Sequence, residues 1–431
     1  MEEAQKKRLV PLFSYGAFHF IDDGFSDSIY ILLPFIASEL GLSFSQVGLL
    51  KGVATAAMSL FQIPMGLLGE RIGELTVIAA GTMGLAGGFL ILSRVYTFPL
   101  MLFSLLFAKG TSGGQHSLGA SALSMVFEVS GRRAAIGTYN FSGDVGKVFF
   151  PFVLTLLINL WGWRQAVLVL SLVALLVVTF LWGLARQKMV APAMREPKEK
   201  LRLKGKSWGI SNRQGFSALL TIGVIDNTTR TALLTFLPFL LLEKGISVTQ
   251  VGFALTLLFA GGAAGKLACG FLAEWLGVVP MVWGTEILTC VGMLSLIWSP
   301  TPMTWFLLPA VGFMLNGTSS VLYATVAEVI YANARSRGYG LYYAITLGSS
   351  AIAPLVYGVV TDSFGLMFTM VTAALFVLLT LPLSRFLAGK SAGCPDFLPV
   401  GRGGEESRPY HHIFISRKPR PLSGELHSTH Q

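Results

Sequence analysis

Charge and cysteine are both scarce in this chain. Asp, Glu, Lys and Arg together make up 13% of its 431 residues, 53% are hydrophobic, and the mean hydropathy is +0.65. No soluble domain of this length can bury so much apolar surface, which excludes an ordinary water-soluble enzyme and assigns the chain to lipid. Only three cysteines occur, Cys269 and Cys290 inside apolar runs and Cys394 near the C-terminus, so a disulfide framework is excluded and no metal set is indicated. His-Glu-x-x-His is missing, as is Gly-x-x-x-x-Gly-Lys-Ser/Thr, which leaves no zinc-hydrolase or ATP-driven pump to propose. The expectation is a protein without enzymatic activity, cofactor or metal.

What is present is a series of apolar runs near the 20 residues that cross a hydrocarbon core as a helix. They cover residues 12–37, 44–68, 75–94, 97–127, 134–158 and 163–185, then 215–242, 250–273, 279–298, 302–328, 337–360 and 365–388. Backbone groups in lipid must bond within their own segment, which makes these twelve spans helical. The net charge of +10 is spread by loop rather than gathered on a folded domain, which argues against a nucleic-acid partner. Of 32 basic residues, 24 lie in alternate loops and termini, only Arg94, Arg164 and Lys244 lie on the other side, and five lie inside spans. That asymmetry predicts an even number of crossings with both termini cytoplasmic, in the plasma membrane, or the inner membrane of a bacterium. The basic start, Lys6-Lys7-Arg8, leads into a span bearing Asp22, Asp23 and Asp27, as an uncleaved first helix rather than a signal peptide would.

The spans are written twice. Leu33-Pro34-Phe35, Glu39, Gly41, Ser43 and Gln46-Val47-Gly48 recur as Leu237-Pro238-Phe239, Glu243, Gly245, Ser247 and Gln250-Val251-Gly252. Upstream Asp22 falls on Asp226; downstream Gly66, Glu70 and Gly73 fall on Gly270, Glu274 and Gly277, and Gly162 on Gly365. An all-α membrane protein of two six-helix pseudo-repeats follows, with bundles at 1–185 and 215–388. The basic stretch 186–214 is expected to link them on the cytoplasmic side, close to lipid headgroups, and the Gly-, Pro- and Arg-rich residues 389–431 to form a disordered cytoplasmic tail.

Gly66-Leu67-Leu68-Gly69-Glu70-Arg71-Ile72-Gly73, with its second copy at 270–277, resembles the helix 2–3 loop signature of the major facilitator superfamily. Both copies keep the first Gly, an acid and the last Gly; Glu stands for Asp, and Glu74-Leu75 stands where that family has a basic pair. Within the superfamily, Gly110 to Ser121, Gly131-Arg132-Arg133 and Gly143 to Pro151 look like the fourth and fifth helices of fosmidomycin-resistance-type exporters, although Ser117-Leu118 follows His116 where those have Pro-Glu. The resemblance implies a monomeric secondary transporter whose helices 1, 4, 7 and 10 line a central path. Glu70, Arg71, Glu274, Arg132 and Arg133 are then expected at the cytoplasmic gate.

Ionisable side chains at the bilayer centre cost at least about 2.5–3.5 kcal/mol each and persist where they face a cavity or a partner. His19, Asp22, Asp23, Ser26, Asp27 and Tyr30 share one arc of the first helix at 100° per residue. Lys109 and His116 follow on the fourth span, Asn140, Asp144 and Lys147 on the fifth, Asp226 and Arg230 on the seventh, Asn316 on the tenth. Asp22, Asp23, Asp27 and Asp226 are the expected proton-coupling groups, the acids of the first helix alternatively being fixed partners of Lys51, Lys109 or Lys147. His19, Tyr30, Lys109, His116, Asn140, Asp144, Lys147, Arg230 and Asn316 are expected to bind a small anionic substrate. Asp144 with Lys147 and Asp226 with Arg230 are equally spaced to act as structural ion pairs. Glu286, on the ninth span, is expected to be structural or interfacial. The function expected is proton-coupled export of a small organic anion or amphipathic compound; the alternatives are import of such an anion with protons, or a non-transporting sensor with the same fold.

Overall fold

The computed structural model describes residues 2–127, 129–188, 210–331 and 335–387. Most of the linker and all of the tail from 388 onward, with His411 and His412, therefore lie outside the described residues, as do the side chains of Arg132 and Arg133. The described residues hold no β-strand; one antiparallel bridge joins Ile210 to Ile330. The helices are α1 (Glu2–Leu40), α2 (Phe44–Ile72), α3 (Glu74–Leu92), α4 (Phe98–Ser112), α5 (Gln115–Val126), α6 (Val129–Lys188), α7 (Arg213–Glu243), α8 (Val248–Leu276), α9 (Val278–Trp298), α10 (Thr301–Val326), α11 (Arg335–Phe364), α12 (Leu366–Phe376) and α13 (Thr380–Ser384). Eight segments among the described residues are long and apolar enough to cross a bilayer: 44–72, 74–92, 134–188, 248–276, 278–298, 301–326, 338–364 and 366–384.

The repeat is visible as turn chemistry. Among the described residues six glycines have positive φ, namely Gly41, Gly73, Gly162, Gly245, Gly277 and Gly365, between 60° and 95°, and they are the paired glycines of the two copies. Side chains with a Cβ avoid that region, so each copy needs glycine where one helix stops and the next turns back. Gly162 breaks α6 into two helices at φ 77°, the boundary expected between spans five and six. Ser43 with Gln46 and Ser247 with Gln250 form matching capping boxes at the starts of α2 and α8, which accounts for the recurrence of those four residues.

Two expected spans differ in detail. The run 97–127 is not one helix: it breaks at Gly113-Gly114 between α4 and α5, where a Cβ on Gly113 would lie 2.8 Å from the Met58 carbonyl oxygen of α2. Close approach of that backbone, rather than hydropathy, sets the break, and it carries His116 onto the first turn of α5. The last run is likewise divided, by a 3-10 turn at Val377–Leu379.

Contacts between the two copies are made at the end where α2 and α8 begin. The Asp362 carboxylate near the end of α11 accepts the N–H groups of Phe44 and Ser45 at 2.8 and 2.9 Å, capping α2 from the other copy of the repeat. On the matching side Asn159 donates to its own helix at the Thr155 carbonyl, so this cap exists on one side only. Replacing Asp362 with alanine is expected to cost about 1 kcal/mol of this contact. In a Cys394→Ser background, a Ser45→Cys probe should then react with a water-soluble thiol reagent about fivefold faster; an unchanged rate would show that the cap does not hold the two copies together.

Candidate functional site

The polar stripes of several helices meet around one cavity of about 200 Å³. α1 contributes Asp23, Ser26, Asp27 and Tyr30; α2 contributes Lys51 and Thr55; α4 and α5 contribute Lys109 and His116; α6 contributes Asp144 and Lys147. From the second copy come Asn227, Arg230 and Thr231 of α7, Phe259 and Lys266 of α8, Asn316 of α10 and Ser350 of α11. The wall thus holds five cations, Lys51, Lys109, Lys147, Arg230 and Lys266, and three carboxylates, Asp23, Asp27 and Asp144.

The cations divide by partner. Lys147 Nζ stands 3.1 Å from Asp23 Oδ2, 3.7 Å from Asp144 Oδ1 and 3.9 Å from Asp27 Oδ2, so one ammonium gathers three acids. Lys266 donates to Asp144 Oδ1 at 2.6 Å, joining α8 to α6 across the two copies. Arg230 pairs with Asp226 one turn earlier on α7. Lys51 and Lys109 are different: Lys51 donates to the Thr55 hydroxyl at 2.9 Å and lies 4.9 Å from the centre of the Tyr30 ring, and Lys109 donates to the Ser26 hydroxyl. Neither has a carboxylate within ion-pairing distance among the described residues.

Behind Asp23 sits His19, 2% exposed. Its Nδ1 donates to the Tyr139 carbonyl at 2.7 Å, its ring stacks on Tyr139 with centroids 4.1 Å apart, and its Nε2 is 3.3 Å from Asp23 Oδ2. His116 Nε2 reaches Asp23 Oδ1 at 3.6 Å, and the imidazoles meet edge to face at 4.9 Å. These three are the described residues whose donor atoms could together hold a metal ion.

Of the residues expected to bind substrate, Tyr30, Lys109, His116, Asp144, Lys147, Arg230 and Asn316 line the cavity, while His19 backs it through Asp23. Asn140 does not: it is exposed, because its neighbour Tyr139 takes the inward face of α6. Asp23 and Asp27 line the wall, whereas Asp22 is buried behind it with Oδ1 unpartnered, and Asp226 is buried beneath Arg230. Glu70, Arg71 and Glu274 are exposed at helix ends, away from the cavity. Glu286 was expected to be structural or interfacial; it is wholly buried, and neither oxygen has a hydrogen-bond partner. The nearby Thr318 hydroxyl is taken up by Thr285 at 2.7 Å. Lys51 and Lys266 have larger places in the wall than the sequence suggested. The available signal was a lone lysine in each otherwise apolar helix.

The family model described as Major Facilitator Superfamily matches residues 13–225 and again 219–393. The chain is 21% identical over 360 residues to the fosmidomycin resistance protein of Escherichia coli (strain K12), with 80% of this chain and 84% of that protein covered. It is 22% identical over 431 residues to the hexuronate transporter of Bacillus subtilis (strain 168), covering 90% and 97%. Among solved structures, a bacterial homolog to the human lysosomal transporter Spinster, inward-facing and occupied, superposes with a TM-score of 0.74 at 16% identity over 88% of this chain and 96% of that one.

Proposed function

Because this chain belongs to the major facilitator superfamily of membrane transporters, we propose that it is a secondary transporter that exports a small organic anion across the plasma membrane in exchange for protons. The observation that carries the reading is the pair Lys51 and Lys109, a half-buried and a buried ammonium group in the cavity wall whose direct contacts are hydroxyls and a ring. Two ammonium groups in one cavity wall with no carboxylate at ion-pairing distance favour an anion between them, and the cargo supplies it. The cavity, about 200 Å³, takes a molecule the size of a sugar acid. Relatives named as hexuronate and D-galactonate transporters make those two anions the first probes.

In this reading the chain crosses the bilayer twelve times, α6 crossing twice about Gly162 and α1, α4 with α5, and α7 crossing as polar-striped helices. Both termini are cytoplasmic and the molecule works as a monomer. Residues 1–185 rock against 215–388 about the cavity, with 186–214 as the tether. The contacts at the start of α2 close the extracellular end, which makes this the inward-open state, and Glu70, Arg71 and Glu274 belong to the gate that closes in the other one.

Coupling falls to the second copy. Asp226 and Glu286 are both buried and share one cation, Arg230; Tyr323 and Thr318 of α10 complete their surroundings. Two buried carboxylates with one guanidinium leave an uncompensated charge unless a proton is present. A proton arriving there releases Arg230 toward the cavity, and its departure recaptures the guanidinium. Asp23 and Asp27 of α1, expected to couple, are instead engaged by Lys147 in this state.

The test is transport in proteoliposomes under an imposed pH gradient. Labelled hexuronate or galactonate should exchange by counterflow, and an opposing proton gradient should drive its net movement. Glu286→Gln should retain counterflow and lose at least tenfold of the gradient-driven rate. A variant that responds to the gradient as the parent does sinks the coupling assignment. No counterflow or binding of any organic anion sinks the transport reading. Cargo and protons moving in the same direction would establish import by the same parts.

A further inference from the structure

We propose that His19, Asp23 and His116 form a binding site for a divalent transition-metal cation, such as Zn²⁺, at the α1 end of the cavity. The donors are two imidazole nitrogens and a carboxylate, brought together from one turn of α1 and the first turn of α5, with all ligand atoms within 4.8 Å of one another. Atoms about 2.0–2.2 Å from a tetrahedral zinc stand roughly 3.3–3.6 Å apart. His19 Nε2 is 3.3 Å from Asp23 Oδ2 and His116 Nε2 is 3.6 Å from Asp23 Oδ1, so each imidazole already stands at that spacing from one carboxylate oxygen, and a small rotation of the carboxylate gathers the set.

His19 is prepared as a ligand. Of the two neutral tautomers only the Nδ1–H form donates to the Tyr139 carbonyl, and that form presents an Nε2 lone pair at an atom that is buried without a hydrogen-bond partner. A backbone carbonyl that fixes the tautomer and a stacked ring that fixes the plane are the supports metal-bound histidines use. With Nδ1 protonated, the Nε2 lone pair faces the Asp23 carboxylate, acceptor against acceptor, and a cation between them resolves the contact. Space for it exists because α6 passes as Gly143: a Cβ there would lie 2.5 Å from Asp23 Oδ2 and 2.8 Å from His19 Nε2.

Lys147, 3.1 Å from Asp23 Oδ2, is the competing cation. It already has Asp144 and Asp27 within 4 Å, so it can give up Asp23 without losing a counter-charge. His116 has 43% of its side chain exposed and lines the cavity, which gives the ion a route in. Three protein ligands leave one coordination position facing the cavity, the arrangement that takes an exogenous ligand. An anion in the cavity can fill it with a carboxylate oxygen. The site itself stands on side-chain geometry and does not depend on the transport reading.

The experiment uses the full-length protein, purified in detergent without a polyhistidine tag and with His411, His412, His427 and His430 of the tail replaced by alanine. Cobalt(II) is titrated in and followed by its visible d–d absorption. The proposal expects one Co²⁺ per chain, a band without thiolate charge transfer, and displacement by Zn²⁺. His116→Ala, a substitution at a half-exposed position that leaves the fold intact, should weaken binding at least tenfold; Asp23→Asn should abolish the band. Absence of a stoichiometric band, or a band unchanged in His116→Ala, overturns the site and leaves a proton as the cation between His19 and Asp23. Because no cargo is present in this titration, its failure says nothing against anion transport.

Discussion

Replacing Lys51 and Lys109 together with methionine should lower the affinity for the cargo anion by about 10²–10³-fold while leaving the protein as stable as before, or more so. A hydrogen bond to a charged group contributes about 1.5–3 kcal/mol. Two of them acting on one anion contribute roughly 3–5 kcal/mol, and each 1.4 kcal/mol is a factor of ten. Stability moves the other way because, among the described residues, these ammonium groups have no carboxylate within ion-pairing distance: Lys51 has the Thr55 hydroxyl and the Tyr30 ring, Lys109 the Ser26 hydroxyl. Methionine keeps most of the side-chain volume and removes a partly desolvated charge that no directly paired carboxylate offsets. Isothermal titration with hexuronate, alongside thermal unfolding in detergent, separates the two effects. Unchanged affinity removes the lysines from the anion site. A fall in unfolding temperature comparable to that of a broken ion pair shows that they have partners the geometry does not reveal.

Lys147→Met should have the opposite profile, a loss of about 3–5 kcal/mol of stability, the range found when one member of a buried ion pair is removed. Lys147 is the ammonium that Asp23, Asp27 and Asp144 share; of these acids Asp144 keeps the Lys266 ammonium, and Asp23 keeps only the imidazoles of His19 and His116. Its removal leaves two acids on one turn of α1 facing each other with no ammonium between them. Adding Asp23→Asn to Lys147→Met should recover part of the loss, because the double variant no longer holds an unpaired charge at 23. The coupling between the two sites is read from the double-mutant cycle of unfolding temperatures. A double variant as unstable as the sum of the singles would show that Lys147 and Asp23 are not energetically linked.

These contrasting lysines show how far the sequence could be read. Gly41 with Gly245, Gly73 with Gly277 and Gly162 with Gly365 marked the turns in advance, because positive φ is a local demand and glycine meets it. The polar arc of α1 was legible for a similar reason, since residues three and four apart share a helix face wherever the helix lies. Asn140 shows the limit: the residue that faces inward from that turn of α6 is Tyr139, fixed by His19 on another helix. Glu286 shows it again. Its neighbours in sequence are threonines, while its electrostatic neighbours, Asp226 and Arg230, belong to α7.

The sequence alone determined that this protein lies in lipid as helices, that it is written twice, where it turns, and which side chains are too polar to face acyl chains. Hydropathy, helical period and backbone sterics act over a few residues, so one strand of text records them. Tertiary structure decided which charges neutralise one another, that Lys51 and Lys109 have no acid within ion-pairing distance among the described residues, and that two histidines converge on Asp23. Those facts depend on distances of 2.6 to 3.6 Å between helices up to about 120 residues apart in the chain. The register between packed helices sets such distances, and backbone contacts made at glycine set that register.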